Sequence, residues 1–277
     1  MKKGISIWAF TEPSLEKCFA LAKKYGYDGV ELALDEAGDV NLNSTKEDME
    51  GIKSLAQKYD LELFSVATGL YWSYSLTAND AAVREKAEDI VRKQVDVASW
   101  LGCNTILVIP GMVAGLSPGG EVVPYDVVYD RALAAIKRLA PYAEEHKVVI
   151  GLENVWNKFL LSPTEMRDFI DEVNNPYVGA YFDVGNVIIN GYPEHWIKVL
   201  GKRIAKVHFK DYRRNVGTLD GFVDILSGDV DYPAVMKALS DVGYDDWATA
   251  EVFSQGKYPE SVLAVTSKAV DIILERE

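Results

Sequence analysis

Along the chain, short apolar runs alternate with longer stretches in which apolar positions recur with helical spacing. The short runs predict strands at Gly4–Trp8, Gly29–Leu34, Leu61–Val66, Asn104–Ile109, Val148–Glu153, Val178–Asp183, Ile204–Lys210 and Trp247–Glu251. An amphipathic pattern follows each, predicting helices over Ser14–Tyr25, Thr45–Tyr59, Ala81–Leu101, Asp126–Glu145, Pro163–Val173, Glu194–Leu200, Tyr232–Val242 and Pro259–Glu275. Gly26, Gly102 and Gly243 stand just past helical runs, and Pro163 and Pro259 stand where helices begin. Eight strand–helix units imply a parallel sheet, and eight strands close into a (β/α)8 TIM barrel. No low-complexity linker interrupts the series, so residues 1–277 are expected to form one domain.

In such a barrel one parity of each strand faces the helices and the other faces the interior. Glu153, Asp183, His208 and Glu251 share the interior parity on strands five to eight. All four fall at or near the C-terminal ends, where barrel enzymes carry their chemistry. Three carboxylates and one imidazole form an O/N donor set suited to Mn2+, Co2+, Mg2+ or Zn2+, with positions left for a substrate. Without a cation the carboxylates would repel one another and drive one toward protonation, which is the physical reason to expect a divalent ion. Singly, each acidic residue reads better as a cap or a solvated group than as a ligand, and His208 better as a satisfied core histidine. Matching parity on four successive strands favours the metal site. Glu31 on strand two and Lys206 low on strand seven also face inward. A buried partner, or a hydrogen bond supporting a ligand, is expected for both rather than catalysis.

Charge and composition narrow the partners. A net charge of −13 disfavours nucleic acid and anionic membranes. No apolar stretch approaches the roughly 20 residues of a bilayer span, and the run Ile5–Phe10 is too short for a signal peptide core. Cys18 and Cys103 lie in apolar contexts and require no disulfide. A soluble, cytoplasmic protein acting on a small molecule is expected, and a homo-oligomer is compatible with this reading.

The runs Gly151-Leu152-Glu153-Asn154, Tyr181-Phe182-Asp183-Val184-Gly185-Asn186, His208-Phe209-Lys210-Asp211 and Ala250-Glu251-Val252 resemble the xylose-isomerase-like TIM-barrel superfamily. Within it the likeness is to sugar and sugar-phosphate epimerases and isomerases of the D-tagatose 3-epimerase and L-ribulose-5-phosphate 3-epimerase types, over essentially the whole chain. The resemblance implies a divalent ion, commonly Mn2+, held by Glu153, Asp183, His208 and Glu251. It also implies that Glu153 and Glu251 double as acid/base groups. Inversion beside a carbonyl needs a base on one face and an acid on the other, through an enediolate that a cation stabilises. Glutamates from strands five and eight can flank a sugar in that way. The expected function is metal-dependent epimerisation or isomerisation of a ketose or ketose phosphate in carbohydrate metabolism.

Substrate contacts are read from the loops. The resemblance implies that Arg214, six residues after His208, touches a substrate oxygen. Asn186 stands where some relatives of the tagatose epimerase have histidine, and Phe159 where some have glutamate. The run Lys210-Asp211-Tyr212-Arg213-Arg214-Asn215 is locally basic and follows strand seven, where barrels often bind phosphate. Lys210, Arg213 and Arg214 are therefore candidate phosphate or carboxylate contacts, against the plainer reading of a solvated charge run. Trp8, Tyr71, Trp72, Trp156 and Phe253 fall at strand ends and are candidate walls of a sugar pocket, though core packing would explain any one of them.

Three rivals use the same scaffold. A multi-zinc endonuclease needs many histidines, and this acidic chain has only His146, His195 and His208. An inosose-type dehydratase starts from the same proton abstraction. A non-catalytic sugar-binding barrel would not require two opposed glutamates.

Overall fold

The computed structural model describes residues 1–116, 119–254 and 257–276. Its strands are β1 (Lys2–Ser6), β2 (Gly29–Leu34), β3 (Glu62–Thr68), β4 (Thr105–Val108), β5 (Val149–Glu153), β6 (Val178–Asp183), β7 (Ile204–Phe209) and β8 (Trp247–Ala250). They close on one another in the order β1-β8-β7-β6-β5-β4-β3-β2, every neighbouring pair parallel. The helices are α1 (Leu15–Lys24), α2 (Lys46–Lys58), α3 (Ala81–Leu101), α4 (Tyr125–His146), α5 (Pro163–Val173), α6 (Pro193–Leu200), α7 (Tyr232–Val242) and α8 (Glu260–Ile273). The fold is the (β/α)8 barrel that the alternation predicts.

Local chemistry sets the helix ends. Thr45 and Asp48 form a reciprocal capping box at the start of α2. Ser162 caps α5 through the Glu165 N–H, with Pro163 in the first turn. Gly102, at φ +83°, ends α3 in the left-handed conformation that glycine adopts without strain. Outward strand residues such as Ile150 and Leu152 are fully buried in one continuous core with Ile136 and Phe169 of the helices. Each such side chain stabilises the fold by about 1.5–3 kcal/mol.

The interior is filled in tiers. At the N-terminal end Phe64 and Trp247 stack with ring centroids 4.0 Å apart. Glycine at positions 4 and 29 leaves the room: a Cβ on either would lie 2.6 Å from one of these rings. Lys206 lies just above, donating to Asn104 Oδ1 at 2.8 Å and pairing with Asp246. Lys206 is buried, but its partners are not: Asp246 is 41% exposed and Asn104 is exposed, so the buried partner expected for it is not found. Glu31, Ser65 and Tyr181 occupy the middle, and the C-terminal mouth carries the acidic residues.

Some boundaries differ from the sequence reading. Strand β1 stops at Ser6 and Ile7–Ala9 wind into a 3-10 turn, closed by the Phe10 N–H on Ile7 O, which lifts Trp8 off the strand. Strand β3 runs on to Thr68, and β7 ends before Lys210. Beyond β7, Asp211–Tyr212 pairs antiparallel with Phe222–Val223 in a short hairpin. Both cysteines are buried and free. Among the described residues no helix is long and apolar enough to cross a membrane.

Candidate metal centre and sugar cavity

Parallel register places the mouth residues side by side. Glu153 is paired with Tyr181, Asp183 with His208, and His208 with Thr249, two residues before Glu251. The candidate ligand atoms of Glu153, Asp183, His208 and Glu251 all lie within 4.8 Å of one another, and all four residues are buried. Asp183 Oδ2, His208 Nδ1 and Glu251 Oε2 are buried without a hydrogen-bond partner. Unsatisfied buried acceptors are costly and rare. Three converging on one spot fit a divalent cation with O/N ligands.

Each donor is aimed by its neighbours. The Asn186 N–H donates to Asp183 Oδ1 at 2.7 Å, which leaves Oδ2 free. Asn154 grips the Asp183 backbone from both sides, its Oδ1 accepting from the N–H and its Nδ2 donating to the carbonyl. His208 Nε2 lies 2.9 Å from Glu31 Oε1. A carboxylate there holds the proton on Nε2 and leaves the Nδ1 lone pair facing the cluster. Glu31 is itself fixed by the Ser65 hydroxyl at 2.8 Å and by the Tyr181 hydroxyl. Glu31 thus has the buried partner expected of it, and that partner is the candidate ligand His208. Replacing it with glutamine should weaken divalent-metal affinity by about 10- to 100-fold with the barrel intact. Isothermal titration with Mn2+ checks this, and an unchanged affinity would mean that Glu31 does not orient the imidazole.

The electrostatics are those of a crowded anionic site. Burial, reinforced by Glu251, lifts the Glu153 carboxyl to about 7 against the pull of His208. Burial likewise raises Asp183. At Glu251 burial is outweighed by Lys210 and His208, and its carboxyl is held below the usual range. Burial opposes charge on His208, but Glu31, Glu153 and Glu251 prevail and favour its protonation in the metal-free chain. Lys210 Nζ lies 2.5 Å from Glu251 Oε2 and 3.4 Å from Asp183 Oδ2, an ion pair with each. Gly185 permits that approach, since a Cβ there would sit 2.9 Å from Lys210 Cβ.

Above the cluster opens a cavity of about 540 Å³ whose floor includes Glu153, Glu251 and Lys210. Trp8, Trp72, Trp156, Phe222 and Phe253 form its aromatic walls, and Asn186 also lines it. The Trp156 indole is steadied by donating to Asn186 O at 3.0 Å. Of the sequence candidates, Lys210, Asn186, Trp8 and Trp156 thus gather at the cavity. Arg213 and Arg214 are not among its lining residues. Arg213 Nε donates to Ser227 O, while Arg214 donates to Gly191 O and lies 4.7 Å from the Tyr192 ring centroid. Tyr71 is no wall: it is buried with its hydroxyl on Gln94. Phe159 packs against Tyr125 and Phe169. Sequence reasoning missed Phe222 and Asp220, which the hairpin after β7 carries into the cavity.

A buried cluster of three carboxylates and an imidazole at the C-terminal mouth of a (β/α)8 barrel defines a candidate divalent-metal protein. The chain belongs to the xylose isomerase-like TIM barrel family, whose model matches residues 19–271. It is 28% identical over 257 residues to an L-ribulose 3-epimerase of Methylomonas sp. (strain DH-1), covering 90% of this chain and 82% of that one. It is 26% identical over 268 residues to a putative L-ribulose-5-phosphate 3-epimerase of Escherichia coli (strain K12), covering 88% and 85%. The structure of D-psicose 3-epimerase with D-tagatose from Clostridium cellulolyticum H10 superposes with a TM-score of 0.80 at 16% identity, covering 99% of both chains.

Proposed function

We propose that this chain is a divalent-metal-dependent epimerase that inverts the carbon next to the carbonyl of a ketose. The observation that carries this reading is the pair Glu153 and Glu251. They come from β5 and β8, with two strands between them, and share one buried cluster beneath an aromatic-walled cavity. One glutamate takes the proton from the carbon beside the carbonyl, and the other returns a proton to the opposite face. The two carboxyls are pushed in opposite directions, Glu153 up and Glu251 down, which suits one acid and one base at neutral pH. When bound by Glu153, Asp183, His208 and Glu251, a divalent ion supplies Lewis-acid stabilisation of the negative charge that develops on substrate oxygen. The tryptophans stack on the sugar's C–H faces and keep bulk water from the reacting carbon. Curated relatives named as ketose and ketose-phosphate 3-epimerases support the substrate class.

Incubating the Mn2+-loaded protein with a panel of ketoses and ketose phosphates in deuterated water tests this reading. The expected result is a new 3-epimer carrying one deuterium at the inverted carbon. Elimination of water instead of inversion would replace the epimerase reading with that of a dehydratase. Absence of reaction and of exchange across the panel would overturn it.

A further inference from the structure

We propose that Asp220 makes this site selective for an uncharged ketose over its phosphate ester; the inference rests on the ketose reading above. Asp220 lies on the turn Leu219–Gly221 that leads into the second strand of the hairpin. It lines both the sugar cavity and an adjoining outer pocket of about 480 Å³. Glu251 and Asp220 line both spaces, so a ketose whose carbonyl end sits at the glutamates has room to extend its far end toward this rim. A phosphate esterified there carries about −1.5 to −2 charge and needs cationic partners.

Carboxylates outnumber the cations nearby. The Lys210 ammonium lies between Glu251, on the cavity floor, and Asp183. The Arg214 guanidinium is turned to Gly191 O and Tyr192. Arg213, whose Nε donates to Ser227 O, lines the outer pocket with Lys210, and there the carboxylates of Asp220, Asp224 and Glu251 outnumber the two cations. Asp220 Oδ2 accepts from Thr218 Oγ1 at 3.4 Å, a contact that leaves its charge in place. The rim therefore repels a phosphate while offering hydrogen-bond acceptors to sugar hydroxyls.

Fluorescence of Trp8, Trp72 and Trp156 reports binding independently of turnover. The Mn2+-loaded protein and its Asp220→Asn variant are titrated with L-ribulose, D-tagatose and D-psicose, and with L-ribulose 5-phosphate, while epimerisation is followed in parallel. In the wild type the free ketoses should bind at least about tenfold more tightly than the ester. Asp220→Asn should tighten the ester by about tenfold relative to whatever change it makes to the free sugars. Added salt should narrow the wild-type gap in the same direction. The inference is overturned if the wild type binds the ester as tightly as the free sugars, or if the variant moves both classes equally. A protein that neither binds nor turns over any of these sugars overturns the ketose reading itself, and is told apart by the silence of both readouts. Asp220 is exposed, so its substitution leaves the barrel core untouched.

Discussion

Glu153→Gln and Glu251→Gln should each lower turnover by about 10²–10⁴-fold while ketose binding persists, because glutamine keeps an oxygen donor but loses the basic carboxylate. The two variants should fail differently. For the epimer whose α-hydrogen faces Glu251, the Glu153→Gln protein keeps its base and lacks the acid of the opposite face. It should exchange that hydrogen with deuterated solvent and return it to the face it left, without inversion. The Glu251→Gln protein should neither exchange nor invert the same epimer. With the other epimer the roles reverse. Nuclear magnetic resonance of both epimers in deuterated water reads exchange and inversion separately. Near-normal turnover in both variants, with metal in place, would rule out the two-glutamate mechanism.

Metal content should respond almost as strongly. One divalent ion per chain is expected, lost on dialysis from Asp183→Ala and His208→Ala but retained by the parent. Each substitution removes a donor and leaves the remaining buried carboxylates uncompensated. Elemental analysis decides it, and unchanged metal in both variants would sink the assignment. Proton linkage gives a second handle. In the metal-free chain Glu153 is lifted to about 7 and His208 is raised above its usual range, so both hold protons at and below neutrality. A cation must displace those protons. Apparent affinity should therefore climb as pH rises from about 6 to about 8, with proton release visible as a buffer-dependent heat of binding. An affinity flat across that interval would place the ion elsewhere.

The barrel and its acidic mouth were legible because inward and outward residues alternate toward the C-terminal ends of β5 to β8, beyond the register shift of β6 and β7 at Ala180/Tyr181. Once the parity of β5 to β8 is set by outward residues such as Ile150 and Leu152, the inward facing of Glu153, Asp183, His208 and Glu251 follows. Parity also showed that Glu31 points inward, but not that it meets His208. That contact joins β2 to β7 across the barrel, and depends on the stagger of all eight strands. Loop residues were harder still. Nothing in local pattern tells that Arg214 folds back onto Gly191 O while Phe222 and Asp220 swing inward, since a hairpin of two-residue strands has no periodicity to read. Trp8 reached the cavity by a route that the sequence did not show, through a 3-10 turn in place of strand.

The hairpin after β7 is closed at its base by Asp211. Buried Asp211 accepts from the N–H groups of Tyr212, Gly228 and Val230 at 2.8, 3.0 and 3.2 Å, so both ends of the 211–230 excursion close on a single carboxylate. Residues between those anchors supply a wall and a charged rim to the cavity, yet no hydrogen bond of the barrel's own strand ladder passes through them. The excursion therefore behaves as a cassette. A change of length or charge within it would alter that wall and rim while leaving Glu153, Asp183, His208 and Glu251 in place at the barrel mouth.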